Sequence, residues 1–208
     1  MNFEGEIFVY KLYYDAGTAP CISDGTLSLA ICKPGVRNNA KKGDLVVGIA
    51  AREIGIGRFI YAMEVGEVIS GDRYYTERRF AKRIDRVYRD SGGGRAKHKG
   101  RGYPNYQPGA YWRAIYLKRD IAPSGLLKDA RILTSRSFVY LGGEGTRDYE
   151  TYSDLKWIPS FGRGARRLST LPKARIAMID YLKSLLTKYG KNYLGTPTIA
   201  DDWREWNR

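Results

Sequence analysis

The run Leu45–Ala51, LVVGIAA, limits the fold more than any other stretch of the chain, because no polar residue interrupts it. A strand without solvent-facing alternation must be covered on both faces, so it belongs at the centre of a layered structure. Gly55 and Gly57 in the following GIGR permit a tight reversal into Phe59–Ile69, FIYAMEVGEVI, and the two runs together predict a long antiparallel hairpin. Further strands are expected at residues 6–14 (EIFVYKLYY), ended by the turn-rich AGTAPCISDGT, and at Thr26–Cys32, closed by Lys33-Pro34-Gly35. Shorter aromatic strands are predicted at Tyr111–Leu117 and Ser137–Leu141, the second followed by a Gly142-Gly143-Glu144-Gly145 turn.

Elsewhere the apolar period changes. From Asp72 to Arg89, the residues Tyr75, Phe80, Ile84, Val87 and Tyr88 recur at roughly helical spacing with arginine or lysine over the remainder, which predicts a basic amphipathic helix. It leads into a glycine-rich basic stretch, about residues 91–109, with too few apolar side chains to bury a core, and this is expected to be a mobile loop. Pro172 at a first helical position, Gly190 just past a last one, and the apolar Met178, Leu182 and Leu185 between them predict a helix over 172–189 that caps the sheet. With 208 residues, 43 % of them hydrophobic, the chain can fill one core, and residues 1–208 are expected to form a single domain. A majority of strands with a few helices predicts an α+β fold, a curved barrel-like mixed β-sheet with flanking helices.

Charge and residue usage narrow the chemistry. Lys and Arg number 36 against 22 Asp and Glu, a formal charge of +14 that favours a polyanionic partner. The 17 tyrosines and 4 tryptophans add faces on which bases stack, so the combination points to nucleic acid. A single histidine, His98, and two cysteines, Cys21 and Cys32, exclude a disulfide scaffold, a zinc deaminase site and a histidine-based triad. No metal and no cofactor is expected. Neither Gly92-Gly93-Gly94 nor the Gly142–Gly145 turn is followed by the Lys-Ser/Thr step of a phosphate loop. No apolar run approaches the roughly 18 residues of a membrane span, and no basic-then-apolar leader opens the chain, so a cytoplasmic protein with free thiols and no membrane contact is expected.

Several motifs occur in a familiar order: Thr26-Leu27 through Cys32-Lys33-Pro34, then Lys42-Gly43-Asp44-Leu45-Val46-Val47-Gly48, then Tyr61-Ala62-Met63-Glu64-Val65. Tyr74-Tyr75 with Phe80 and Lys82, Ser137-Phe138-Val139-Tyr140-Leu141-Gly142-Gly143, Gly162-Arg163-Gly164 and Gly195-Thr196-Pro197 continue the series over nearly the whole chain. On these motifs the chain resembles the nucleotide modification associated domain 2 family. The resemblance implies a setting among DNA base modification and phage-defence systems. Its implied partners are nucleic acid, with DNA ahead of RNA, or a modified nucleotide, together with proteins of a modification or restriction system. It brings no catalytic signature. At the level of fold, the Gly43-Asp44 turn before a buried strand and the return through Ala62-Met63-Glu64-Val65 are similar to the PUA-like group of EVE, ASCH and YTH domains, which implies an extruded base held against aromatic side chains.

On that basis the base pocket is expected to use Trp112, Tyr140, Tyr13 and Trp157, with Asp15, Ser23 and Asp44 hydrogen-bonding a base edge. Trp112 leads because it closely follows the Tyr103-Pro104-Asn105-Tyr106 loop. Asp44 has the simpler alternative of a β-turn residue, and the strand aromatics that of core packing. Phosphate contacts are expected from Arg78, Arg79, Lys82, Arg83, Arg86, Arg89, Arg95, Lys97, Lys99 and Arg101. The expected function is a nucleic-acid-binding domain for a modified or flipped base. The alternative is an enzyme of nucleotide or base modification, with Asp15, Asp44 and Glu64 as acids and Cys32 as nucleophile.

Overall fold

The computed structural model describes residues 1–100 and 110–198, with the side chains of residues 110–114 left undescribed. The strands are β1 (Ile7–Leu12), β2 (Cys21–Ser23), β3 (Thr26–Leu29), β4 (Leu45–Ala50), β5 (Phe59–Glu64), β6 (Glu67–Ser70), β7 (Tyr88–Asp90), β8 (Ala96–His98), β9 (Arg131–Ser135), β10 (Phe138–Tyr140), β11 (Ala165–Arg167) and β12 (Tyr193–Leu194). The α-helices are α1 (Pro34–Arg37), α2 (Gly71–Tyr74), α3 (Ala110–Asp120) and α4 (Pro172–Tyr189), and short 3-10 turns fill much of residues 142–170.

The apolar run takes the central place its composition demands. β4 is buried along its whole length, parallel to β1 on one side and antiparallel to β5 on the other, within a mixed sheet ordered β11-β1-β4-β5-β10-β12. Side chains alternate along a strand, so Leu45, Val47 and Ile49 face one side of this sheet and Val46, Gly48 and Ala50 the other. The first side packs against Met178, Tyr181, Leu182 and Leu185 of α4. The second packs against Leu27, Leu29 and Leu133 of another sheet, ordered β2-β3-β9-β6. Each buried aliphatic contributes roughly 1.5–3 kcal/mol, and only a strand covered on both faces collects this from every residue. Gly48 interrupts the run where it pairs with Tyr61, since any side chain there would meet the Tyr61 ring. A third core gathers Tyr74, Tyr75, Phe80, Val87, Tyr88, Ile121, Leu127 and Ile132.

The α+β class, the β4–β5 reversal, the strands at β1, β3 and β10, and the capping helix α4, bounded by Pro172 and Gly190, match the expectations. Among the described residues the sheets are open, with β11 and β12 at the edges of the largest, and no barrel closes. The return strand from Phe59 is shorter than expected. It stops at Glu64, the chain crosses at Val65 and Gly66, and β6 joins the other sheet opposite β9.

Two elements differ in kind. Residues 72–89 do not form one basic helix; α2 ends at Tyr74, a 3-10 turn covers Arg78–Phe80, and β7 begins at Tyr88. Tyr75, Phe80, Val87 and Tyr88 do turn to a common core, but Arg83 and Asp85, an ion pair at 3.5 Å, are buried as well. Residues two apart point to different sides of a helix, so this pair requires a non-helical backbone. The run Tyr111–Leu117 is helical rather than extended: it lies inside α3, whose Leu117 packs with Ile121 four residues on against the third core. Part of the expected loop, residues 91–99, is the turn and second strand of a β7–β8 hairpin, and residues 101–109 lie outside the described residues. No helix among the described residues is long and apolar enough to cross a membrane, and no group of three His, Cys, Asp or Glu there could hold a metal ion.

Candidate functional site

After β3 the chain turns through Cys32 and Lys33, consecutive non-glycine residues in the left-handed region (φ 59° and 45°). An L-residue there costs roughly 1–2 kcal/mol, so the surroundings must impose the conformation. They do so from two sides. The buried Asp120 carboxylate, at the end of α3, accepts the Cys32 N–H at 2.7 Å, and the buried Arg37 guanidinium donates to the Cys32 carbonyl at 2.6 Å. Arg37 also donates to the carbonyls of Arg131 (2.7 Å) and Arg119 (2.8 Å), so one side chain ties α1, α3 and β9 to the corner. Burial holds the Asp120 carboxyl above its usual range, against the pull of Arg37. Pro34 opens α1, where its missing N–H has no helical partner to lose.

The corner borders a cleft of about 540 Å³ lined by Tyr10, Tyr13, Lys33, Pro34, Gly35, Val36, Arg119, Arg163, Gly164 and Ala165. The Lys33 ammonium donates to the Lys11 carbonyl and lies 4.9 Å from the Tyr10 ring centre and 5.2 Å from that of Tyr13. The Arg163 guanidinium approaches the Tyr13 ring at 5.8 Å. Tyr10 is fully buried, its hydroxyl sharing a 2.8 Å hydrogen bond with that of Tyr61, so half-buried Tyr13 is the ring a ligand reaches. Burial pulls Lys33 down to about 8, opposed by the Cys32 thiol and reinforced by Arg119. Among the described residues, Lys33, Arg119 and Arg163 line the cleft and no carboxylate does. Such a surface suits a ligand that is anionic at one end and flat at the other, and its volume falls in the range of small-molecule sites.

The residues expected to form a base pocket do not share one cavity. Among the described residues, Tyr13 alone of these lines the cleft. Tyr140 borders an apolar recess of about 270 Å³ with Pro20, Leu194 and Pro197. Its hydroxyl donates to Asp15 at 2.6 Å, and Asp15 accepts the Thr198 N–H (3.0 Å) and hydroxyl (2.9 Å) as well. Burial raises the Asp15 carboxyl against these bonds. Ser23 borders a polar cavity of about 510 Å³ with Arg79 and Arg136. Asp44 accepts the N–H groups of Glu6 (2.9 Å) and Lys41 (2.8 Å), the part of a turn residue. Trp157 donates to the Asp154 carbonyl and tilts against Phe161. Trp112 belongs to α3, and its side chain lies outside the described residues.

The cationic residues divide similarly. Arg83 is buried and donates to the carbonyls of Cys21, Ser23 and Thr26 and to the Ser28 and Tyr74 hydroxyls, which leaves it no donor for a phosphate. Arg86 donates to the Tyr75 and Glu77 carbonyls, and Arg79 pairs with Glu67 and Glu77. Arg78, Lys82, Arg89, Arg95 and Lys97 are exposed, Lys99 is half-buried, and Arg101 lies outside the described residues. Of the candidate enzymatic groups, Glu64 accepts the Asn2 N–H, and burial together with Asp120 pushes the Cys32 thiol up to about 11. Cys32 is therefore a protonated thiol at neutral pH, not an activated nucleophile.

Lys33, Arg119 and Arg163 had no chemistry assigned from sequence, although Cys32-Lys33-Pro34 and Gly162-Arg163-Gly164 are among the motifs that carry the resemblance. A family model described as nucleotide modification associated domain 2 matches residues 4–205, as those motifs led us to expect. No curated protein matches the chain, and no solved structure does.

Proposed function

The chain belongs to the nucleotide modification associated domain 2 family, and on that premise we propose that it is a nucleic-acid-binding module that seats a modified or flipped base in the cleft beside Tyr13. The observation that carries this reading is the charge pattern: three cationic side chains and a half-buried aromatic ring, with no carboxylate among the described lining residues. The base stacks on Tyr13, and its phosphate supplies the anion that Lys33, Arg119 and Arg163 lack. The family's name supports a role in nucleotide modification. Within that role we assign the module to a DNA base modification or phage-defence system of the cytoplasm, acting with partner proteins. We read residues 1–208 as one PUA-like domain, a reading supported by the mixed central sheet under a covering helix.

Titration with oligonucleotides carrying different modified bases, and with free modified nucleotides in parallel, tests the proposal. Neither Tyr13 nor Arg163 belongs to a buried core, so Tyr13→Ala and Arg163→Ala should leave the melting temperature nearly unchanged. Tyr13→Ala is expected to lose roughly 1–3 kcal/mol of affinity, the size of one base-stacking contact. Binding that neither substitution weakens would contradict the proposal.

A further inference from the structure

The β7–β8 hairpin sets Arg89 directly opposite Lys97, and both side chains are exposed. Like charges facing one another across an antiparallel pair, with Cβ atoms about 5 Å apart, destabilise it. Nothing in the hairpin relieves this pair. Neither residue makes an ion pair among the described residues, and the Asp90 carboxylate accepts the N–H groups of Gly92 and Gly94 in the turn. Arg95, also exposed, extends the same basic surface toward the tip.

The hairpin is anchored at its root. Buried Tyr88 donates its hydroxyl to Asp120 at 2.9 Å, and the other oxygen of that carboxylate holds the Cys32 N–H at the corner of the cleft. Arg119, which lines the cleft, is the residue next to Asp120. The root of the hairpin and the corner of the cleft are therefore held by the two oxygens of one carboxylate.

Resting on the cleft reading above, we propose that the hairpin grips the phosphodiester backbone of a nucleic-acid strand whose base enters the cleft, so that the ligand is a nucleotide within a strand rather than a free one. An uncompensated pair of cations on an exposed ribbon fits phosphate oxygens, and a free nucleotide seated in the cleft would leave it unused.

The test compares a short single-stranded DNA of mixed sequence with the deoxynucleoside 5′-monophosphates, over a range of salt concentrations. Replacing both Arg89 and Lys97 by Ala should flatten the salt dependence of DNA binding by roughly 0.7 units of log–log slope per lost contact, while leaving monophosphate binding unchanged. Lys97→Glu should raise the melting temperature, because it turns a repulsive cross-strand pair into an attractive one, and at the same time weaken DNA binding. Arg163→Ala should weaken both ligands. An unchanged salt slope in the double variant, with Arg163→Ala still weakening DNA binding, overturns the hairpin proposal and leaves the cleft reading standing. DNA and monophosphate binding that are both indifferent to Arg163→Ala overturn the cleft reading.

Discussion

Lys33 concentrates the chemistry of the candidate site in one residue. Its backbone is held in the left-handed region, and its ammonium is tucked between two tyrosine rings with a backbone carbonyl as hydrogen-bond acceptor. Burial brings its pKa down to about 8, so the cleft loses a positive charge well below the pH at which an ordinary lysine would. A nucleoside 5′-monophosphate is already dianionic above about pH 7, so its own titration is complete before Lys33 deprotonates. Affinity for the monophosphate should fall roughly tenfold as pH rises through 8, the size of a lost charge-assisted hydrogen bond. Lys33→Gln should bind weakly throughout with most of that slope removed. Calorimetric titration from pH 7 to about 9.5 checks this, and affinity that stays constant to the upper end would remove Lys33 from the site.

The segment from Arg78 to Asp90 shows how a charge run misleads at the scale of an element. In sequence its arginines are alike, and the helical period of the apolar residues made all of them look solvated. The structure sorts them by depth: Arg78 is exposed, whereas Arg83 sits beside Asp85 with backbone carbonyls closing around it. Removing one member of a buried pair strands the other charge, so Arg83→Ala should cost about 3–5 kcal/mol of folding stability. Arg78→Ala should change stability by no more than about 0.5 kcal/mol. Urea unfolding of both variants decides the matter. A fully stable Arg83→Ala protein that no longer binds DNA would return Arg83 to the interface. Elements specified by their own pattern were legible without a structure: the unbroken β4, the alternating β1, and α4 between Pro172 and Gly190. The short strands β2 and β9 were not, and β6 was read only as the end of the strand from Phe59, because each is defined by its partners rather than by its own periodicity.

At the scale of the whole molecule, the sequence announces a basic, tyrosine-rich protein but not where its charge is left uncompensated. Lys33, Arg119 and Arg163 come from three distant stretches, and only the parallel pairing of β1 with β4, the path of α3 and the seating of β11 on β1 bring them around Tyr13. Conversely, Tyr140, Asp15, Ser23 and Asp44 looked like pocket residues because strand ends and turns favour such types; the topology keeps Tyr140 and Asp15 together in one buried hydrogen bond but sends Ser23 and Asp44 elsewhere. The family's motifs mark the cleft better than residue chemistry did, since they contribute two of its three cations. The central claim, that this cleft seats a nucleotide, is tested most directly by chemical-shift mapping of the isotope-labelled protein titrated with a short single-stranded DNA. The account predicts that the amides of Lys33, Gly35, Val36, Gly164 and Ala165 shift first and most. Unmoved resonances there, with the changes gathered instead at Gly66, Thr134 and Arg136 or at Gly17, Gly195 and Thr196, would contradict it.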